Sequence, residues 1–314
     1  MKKSFLLSSL IGSTLLIGCS KDNNTPSPSS NEITFPTGKL AVELGHPESV
    51  LFDGKQYFYI SDIGTQLAPH VKDGDGMITK VDINGKLISK NISKVSLNAP
   101  KGSVLIGNTL WINDIDELKG IDINTGELTD RISFNDLGID LTIKGGTGLN
   151  DLVKRNDNNT LYASITNNGG IYKVNLKEKS KEKIGESNFV NGLFLTDNTL
   201  WNCAFANGLS LKKLDLNSKN NTDALNSPNA SGGLDGITLI NNELYISDWG
   251  KDYNGSNEVG SIFKYNPTTQ KSELIDLTNK IGKKYLNGPA DISSYNNYLF
   301  IPAMGEGAVY IVKI

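Results

Sequence analysis

The chain is a dense succession of short apolar runs separated by polar turns. In its first long stretch the runs fall at residues 49–52, 57–61, 76–82 and 87–91, with Asp53-Gly54, a polar loop and Asn84-Gly85 between them. Such runs read as strands, and the Asn-Gly and Asp-Gly dipeptides as hairpin turns, because Gly tolerates positive φ and Asn or Asp tolerate the left-handed region. Helical periodicity is nearly absent, and the one short helix expected, around 274–284, joins two strand groups.

A six-fold echo is superimposed on this pattern. Its copies are His46-Pro47-Glu48-Ser49-Val50, Ala99-Pro100-Lys101-Gly102, Leu149-Asn150-Asp151-Leu152, Val190-Asn191-Gly192-Leu193, Leu234-Asp235-Gly236-Ile237 and Gly288-Pro289-Ala290-Asp291. Each is followed by an apolar strand ending in a small or polar residue, as in Tyr59-Ile60-Ser61-Asp62, Trp111-Ile112-Asn113-Asp114 and Tyr245-Ile246-Ser247-Asp248. A period of roughly 40 to 50 residues is that of a propeller in which each repeat is one four-stranded blade. The expectation is an all-β, six-bladed β-propeller with four-stranded antiparallel blades, occupying residues 33–314.

Propeller geometry turns the echo into a site. Equivalent positions lie at one radius and height, so Glu48, Asn150, Asn191 and Asp235, at the start of the innermost strands, should converge at one mouth of the central channel. Two carboxylates and two amide oxygens form a hard, oxygen-only donor set suited to Ca²⁺ or Mg²⁺, with Mn²⁺ as a third choice. The competing reading of Asn191-Gly192 and Asp235-Gly236 is simple turn chemistry. Glu48 is not a turn former.

Residues 1–32 tell a different story. Lys2 and Lys3 precede an apolar stretch, residues 5–17, too short to span a bilayer comfortably, and Leu15-Leu16-Ile17-Gly18-Cys19 closes it. That run resembles the lipobox of bacterial lipoproteins. The resemblance implies a signal peptide over residues 1–18, lipid attachment at Cys19, a flexible tether over 19–32, and an exported protein held at the bacterial cell envelope by its lipid alone.

Charge and cysteine count narrow the rest. The formal net charge is −3, the lysines are scattered through turns and there is no arginine cluster, so nucleic acid is not the expected partner. Cys203, the only cysteine besides Cys19, reads as a small buried apolar residue on a strand over 200–204, and no disulfide framework exists. His46 and His70 have no Ser or Cys partner and do not make a triad hydrolase. His46, two residues from Glu48, can still reach the channel mouth. Lys72-Asp73-Gly74-Asp75-Gly76 lacks the third acidic position and distant Glu of a calcium loop and reads as a hairpin connection. Trp111, Trp201 and Trp249 read as blade packing, Trp249 being the best exception because it follows Asp248.

Taken together, Pro47-Glu48-Ser49-Val50, Asn150-Asp151, Asn191-Gly192-Leu193 and Asp235-Gly236-Ile237 resemble the regucalcin and gluconolactonase family over residues 40–314. The resemblance implies a divalent cation held by Glu48, Asn191 and Asp235, substrate and water contacts at Asn150, and hydrolysis of lactones or related esters with Asp235 orienting or deprotonating the water. It also marks a departure. Members of this type commonly carry an Arg two positions before the Asn of the third repeat, where this chain has Gly148. Lys101 reads either as a solvated turn lysine or as a cation for an anionic ligand. Asp291 reads either as a turn or cap residue or as a third carboxylate at the substrate. The loops at 135–147 and 218–233 lead into site residues. A non-catalytic propeller binding an envelope ligand or partner is the alternative function, and a metal-free propeller whose ring residues serve turns is the third.

Overall fold

The computed structural model describes residues 33–143, 145–205, 211–225, 233–250 and 257–314. Residues 1–32, with the signal peptide, Cys19 and tether expected there, lie outside them; of the loop expected at 218–233, Asn221–Leu225 is instead the outermost strand of blade 4, paired with Leu211–Asp215, and residues 226–232 lie outside the described residues. Thr34–Ile314 form one compact unit. No helix among the described residues is long and apolar enough to cross a membrane.

That unit is a six-bladed β-propeller. It has six four-stranded antiparallel sheets, and in blades 1 to 5 each is a sequential meander running from innermost to outermost strand. Blades 1 to 5 begin with the innermost strands Pro47–Phe52, Pro100–Ile106, Leu149–Lys154, Val190–Thr196 and Leu234–Ile240. Each innermost strand packs on the next, and the last, Ser293–Tyr295, returns to Pro47–Phe52. The helix expected near 274–284 is the single turn Thr278–Ile281 between blades 5 and 6.

Closure uses both ends of the unit. Blade 6 takes three strands from the carboxyl end, and its outermost strand is Gly38–Lys39, paired with Ala308–Lys313. Six aromatic rings seal the junction of the first and last blades. Phe35 lies with its centroid 5.0 Å from Phe52, 5.4 Å from Phe58, 6.0 Å from Tyr295, 5.0 Å from Tyr298 and 5.2 Å from Phe300, mostly edge to face. Such contacts add about 0.5–1.5 kcal/mol each beyond area burial, at the joint where the two ends of the unit meet.

Between other blades the core is aliphatic and aromatic. Val104, Leu118, Leu149, Leu161 and Tyr172 fill the space between blades 2 and 3, and Trp201, Leu211, Ile237, Ile246 and Tyr265 that between blades 4 and 5. Trp111 and Trp201 are thus packing residues, as their sequence context suggests.

Candidate functional site

In blades 1 to 5 the polar residues of the echo sit inside the innermost strand, and the sixth copy, 288–291, lies just before Ser293–Tyr295 and makes isolated bridges to Ala303 and Ser49. In each of blades 1 to 5 the pairing of first and second strands slips by one residue at the echo, between Pro47 and Ser49, Pro100 and Ser103, Leu149 and Leu152, Val190 and Leu193, and Leu234 and Ile237. A bulge of this kind bends the strand and re-aims one side chain. The turn reading of Asn191-Gly192 and Asp235-Gly236 is therefore corrected. Their glycines are required by the neighbouring blade, since a Cβ on Gly192 would lie 2.0 Å from the Asp235 carbonyl oxygen, and one on Gly236 would lie 2.3 Å from the Ile292 nitrogen.

Register assigns six equivalent ring positions: Glu48, Lys101, Asn150, Asn191, Asp235 and, in blade 6, Ala290. The alignment follows from the pairs Pro47 with Asp62, Pro100 with Asp114, Leu149 with Ile165, Val190 with Ala204, Leu234 with Asp248 and Pro289 with Ala303. All six carbonyls of this ring are held by the preceding blade. Ser49 Oγ donates to Lys101 O at 2.9 Å, Asn113 Nδ2 to Asn150 O at 3.0 Å, and Ser164 Oγ to Asn191 O at 2.6 Å. Cys203 Sγ donates to Asp235 O at 3.0 Å, Ser247 Oγ to Ala290 O at 2.7 Å, and the Asp291 backbone N–H closes the circle on Glu48 O at 2.9 Å. Cys203 is buried as expected, but it is also a hydrogen-bond donor standing where Ser stands in blades 3 and 5.

The acidic strand ends read from sequence fix the chain that enters the ring. Asp62 accepts from Gly45 and His46 N–H at 2.6 and 2.8 Å, and Asp114 accepts from Asn98 and Ala99 N–H at 3.0 and 2.8 Å. In blade 3, Thr166 and Asn167 take over this task for Thr147 and Gly148.

The ring side chains have an unusual hydrogen-bond account. Glu48, Lys101, Asn150, Asn191 and Asp235 are all at least 96% buried. Glu48 Oε2, Asn150 Oδ1, Asn191 Oδ1 and Asp235 Oδ1 are buried oxygens without any hydrogen-bond partner. Each orphan costs on the order of 1–3 kcal/mol, more where the oxygen is charged. Four of them amount to a penalty comparable with the net stability of a whole domain. The only other buried orphans among the described residues are Tyr59 OH and the Oδ1 atoms of Asp75, Asn113 and Asn287.

Electrostatics repeats the message. Burial pushes the Glu48 carboxyl well above its ordinary range, and the charge of Asp235 adds to the shift. Burial likewise pushes Asp235 up to about 7, with the Trp249 indole pulling it back. Lys101, expected at the surface on its turn reading, is fully buried; desolvation brings its ammonium down to about 8 against the pull of Glu48, Asp114 and Asp235. Its Nζ donates to Ala99 O at 3.1 Å and Thr147 O at 3.2 Å.

Other sequence candidates fall nearby or away. Asp291 is one position past the ring and half-buried, and its carboxyl shares a side-chain hydrogen bond with Asp151, at the equivalent position of the opposite blade. Desolvation raises both. Asp291 is thus neither turn nor cap. Asp151 escaped the sequence reading, although it carries the only other carboxylate at that phase. His46 is half-buried and its Nδ1 lies 3.1 Å from Gly64 O, in the loop that leaves blade 1's second strand. Trp249 does reach the site, its Nε1 donating to Asp235 Oδ2 at 2.8 Å.

An apolar collar covers the ring. Ile63, Ile115, Phe205, Trp249 and Met304, which follow the second strands of five blades, pack together with Ala99, the ring residue Ala290 and the loop residues Leu67 and Leu141. The loop at 135–147 is tied down at its end: Thr147 receives the Asn150 amide on its hydroxyl at 3.2 Å and Lys101 on its carbonyl. Gly148 has φ +79, and a Cβ there would lie 2.1 Å from Ile115 O, so no side chain, arginine included, fits this position. Residues 72–76 connect two strands of blade 1, with Asp75 accepting from the Thr65 N–H and hydroxyl at 2.9 and 2.7 Å.

The donors suit a hard divalent cation: two carboxylate and two amide oxygens, all buried and otherwise unsatisfied. Among the described residues no group of three or more His, Cys, Asp or Glu gathers as a metal cage, so a cation here would depend on Asn150 and Asn191 for half its protein donors.

No protein-family model and no curated protein matches the chain. Solved structures resemble it in fold. A Bacteroides thetaiotaomicron structural genomics protein of unknown function superposes with TM-score 0.61 at 12% identity, over 89% of this chain and 72% of that one. Hydrazine synthase of Kuenenia stuttgartiensis gives 0.58 at 14%, over 86% and 77%, and a chain of a nidogen/laminin complex 0.56 at 14%, over 78% and 84%. Likeness at these identities is that of the propeller and carries no chemistry.

Proposed function

We propose that the ring is a divalent-cation site and that the protein is a metal-dependent hydrolase of a small lactone or related ester, akin to the regucalcin and gluconolactonase family. The observation that carries this reading is the coincidence of orphaned oxygens with the ring: Glu48, Asn150, Asn191 and Asp235 each keep one buried oxygen without a partner. Glu48, Asn191 and Asp235 would hold the cation, Ca²⁺ by preference, with Asn150 beside it for substrate and water. When bound, the cation supplies Lewis-acid polarisation of a carbonyl oxygen. Asp235 is held by Trp249 through Oδ2, so its Oδ1 would serve both as a cation donor and as the acceptor that orients or deprotonates the attacking water. The Cys203 thiol fixes the backbone carrying Asp235, and the apolar collar keeps bulk water away.

The same collar favours a second reading, a propeller that binds an envelope ligand without turning it over, because it closes the ring behind buried apolar residues. Display at the envelope through a lipid on Cys19 is part of both proposals. The deciding test is calorimetric titration of Ca²⁺, Mg²⁺ and Mn²⁺ into cation-free protein lacking residues 1–31, beside Glu48→Gln and Asp235→Asn, followed by a lactone and ester panel with Asp235→Ala. Binding near one ion per chain that both substitutions abolish, with turnover lost in Asp235→Ala, is the expected result. No ion bound by the parent overturns the hydrolase; an ion bound without turnover on any lactone or ester leaves the binding protein.

A further inference from the structure

Lys101 is the ring group to which the reaction above gives no task. Its ammonium is fully buried, yet no carboxylate oxygen among the described residues stands at ion-pair distance from it. Glu48, Asp114 and Asp235 act on it only through space. The contrast is with Lys119, also buried, whose Nζ touches Asp114 Oδ2 at 2.6 Å. Two of the three donors of Lys101 are spent on the long bonds to Ala99 O and Thr147 O, and the third has no acceptor among the described residues.

An unpaired buried ammonium is strongly destabilising, and an apolar side chain of the same volume would fill the place without that cost. The surroundings hold it firmly nonetheless. Asp114 accepts from the Ala99 N–H, and Ser49 Oγ donates to the Lys101 carbonyl. Its blade lies between those of Glu48 and Asn150, each of which presents an unsatisfied oxygen. One free donor of full charge, on the same ring as the cation donors, fits an anion that arrives with the ligand.

We propose that Lys101 is the anion-recognising residue of the ring and that its ligand carries a free carboxylate besides the group that reacts, that is, a lactone or ester of a dicarboxylic acid. The substrate class rests on the hydrolase reading; recognition of the carboxylate does not.

The test uses glutarate and its neutral diamide, glutaramide, as probes, titrated calorimetrically into the parent protein and into Lys101→Met, each with saturating Ca²⁺ and after removal of cations and chelator. The parent should prefer glutarate by at least about tenfold in both states. In Lys101→Met glutarate should weaken by at least about tenfold while Ca²⁺ binding persists or tightens, since a neighbouring positive charge is gone. Equal binding of the two probes to the parent, or undiminished glutarate binding by Lys101→Met, overturns the proposal. A preference that appears only with Ca²⁺ bound assigns the anion to the cation and overturns it too, a comparison that needs no variant to fold. Glutarate binding that depends on Lys101 in a protein without Ca²⁺ affinity removes the hydrolase reading and leaves Lys101 standing, whereas Ca²⁺ binding without glutarate preference does the reverse.

Discussion

Charged side chains meet opposite fates on the outermost and innermost strands of this propeller. On the outside, lysines and carboxylates pair between neighbouring blades: Lys179 with Asp130 at 2.5 Å and Lys219 with Glu182 at 2.5 Å. Those pairings hold Asp130 and Glu182 below the ordinary carboxylate range. In the ring Glu48 and Asp235, and one position past it Asp151 and Asp291, are all pushed above it, with desolvation as the leading cause. Outer charges are solvated and cheap, and any of many arrangements would serve. Inner ones are desolvated without an ion-pair partner among the described residues, which a fold tolerates where something outside the chain completes them.

The comparison breaks most directly at Asp235. Asp235→Asn should lower Ca²⁺ affinity by more than about a hundredfold, since it removes one of two carboxylates from the donor set. The same substitution should raise the melting temperature of the cation-free protein above pH 7 by a few degrees, about 1 kcal/mol, because it removes a buried charge that no ion pair matches and that Lys101 offsets only through space. Calorimetric titration and thermal unfolding on one preparation read both. A variant that loses stability and affinity together would show that Asp235 serves the fold alone.

A pH series sharpens the same contrast. Folded Asp235 holds its proton up to about 7 against an ordinary 3.8, and Glu48 and Asp291 are raised as well. Between those limits the folded state binds more protons than the unfolded chain, so stability must fall as pH rises. Cation-free protein should melt lower at pH 7.5 than at pH 5. Saturating Ca²⁺ at pH 7.5 should return about 2–3 kcal/mol at a hundredfold excess over its dissociation constant. A melting temperature that is flat over this range in cation-free protein would show that the ring carboxylates are not the unsolvated group described above.

Much of this was legible in the chain because a torus converts sequence phase into position. Once the echo was found, Glu48, Asn150, Asn191 and Asp235 had to share a height, and the structure places them on equivalent bulges. What stayed hidden depends on contacts between blades. Asn-Gly and Asp-Gly have the composition of turns, and only the approach of the neighbouring strand shows why Gly192 and Gly236 are glycines. Lys101 resembles any other surface lysine until its blade is docked. Cys203 was a case in which a signal existed: Asn113, Ser164, Cys203 and Ser247 stand one residue before the last of their strands, and all four carry a small donor. The strand Gly38–Lys39 is too short to announce itself, and its place in blade 6 is set by ring closure.

That row of donors gives a smaller effect. Cys203→Ala deletes the bond to Asp235 O and should cost about 1–2 kcal/mol in chemical denaturation, with a drop in Ca²⁺ affinity because the backbone of Asp235 is released. Cys203→Ser should stay within about 1 kcal/mol of the parent, since Ser already does this work in blades 3 and 5. If Ser proves as costly as Ala, the thiol is in place for its bulk and the ring of held carbonyls is incomplete in blade 4.

The outer surface supplies the weakest effect and completes the comparison. Lys94 and Glu127 pair at 2.9 Å between the connection leaving blade 1 and the third hairpin of blade 2, each side chain 61% exposed. Water and salt screen such a pair, and holding two long side chains in one geometry offsets most of the attraction. Glu127→Gln should therefore move stability by less than about 0.5 kcal/mol in urea titration, and 1 M salt should erase even that. A loss as large as that of Cys203→Ala would mean that the blades are held by their surface charges as firmly as by the ring, and the distinction between a tolerant exterior and a specified interior would fall.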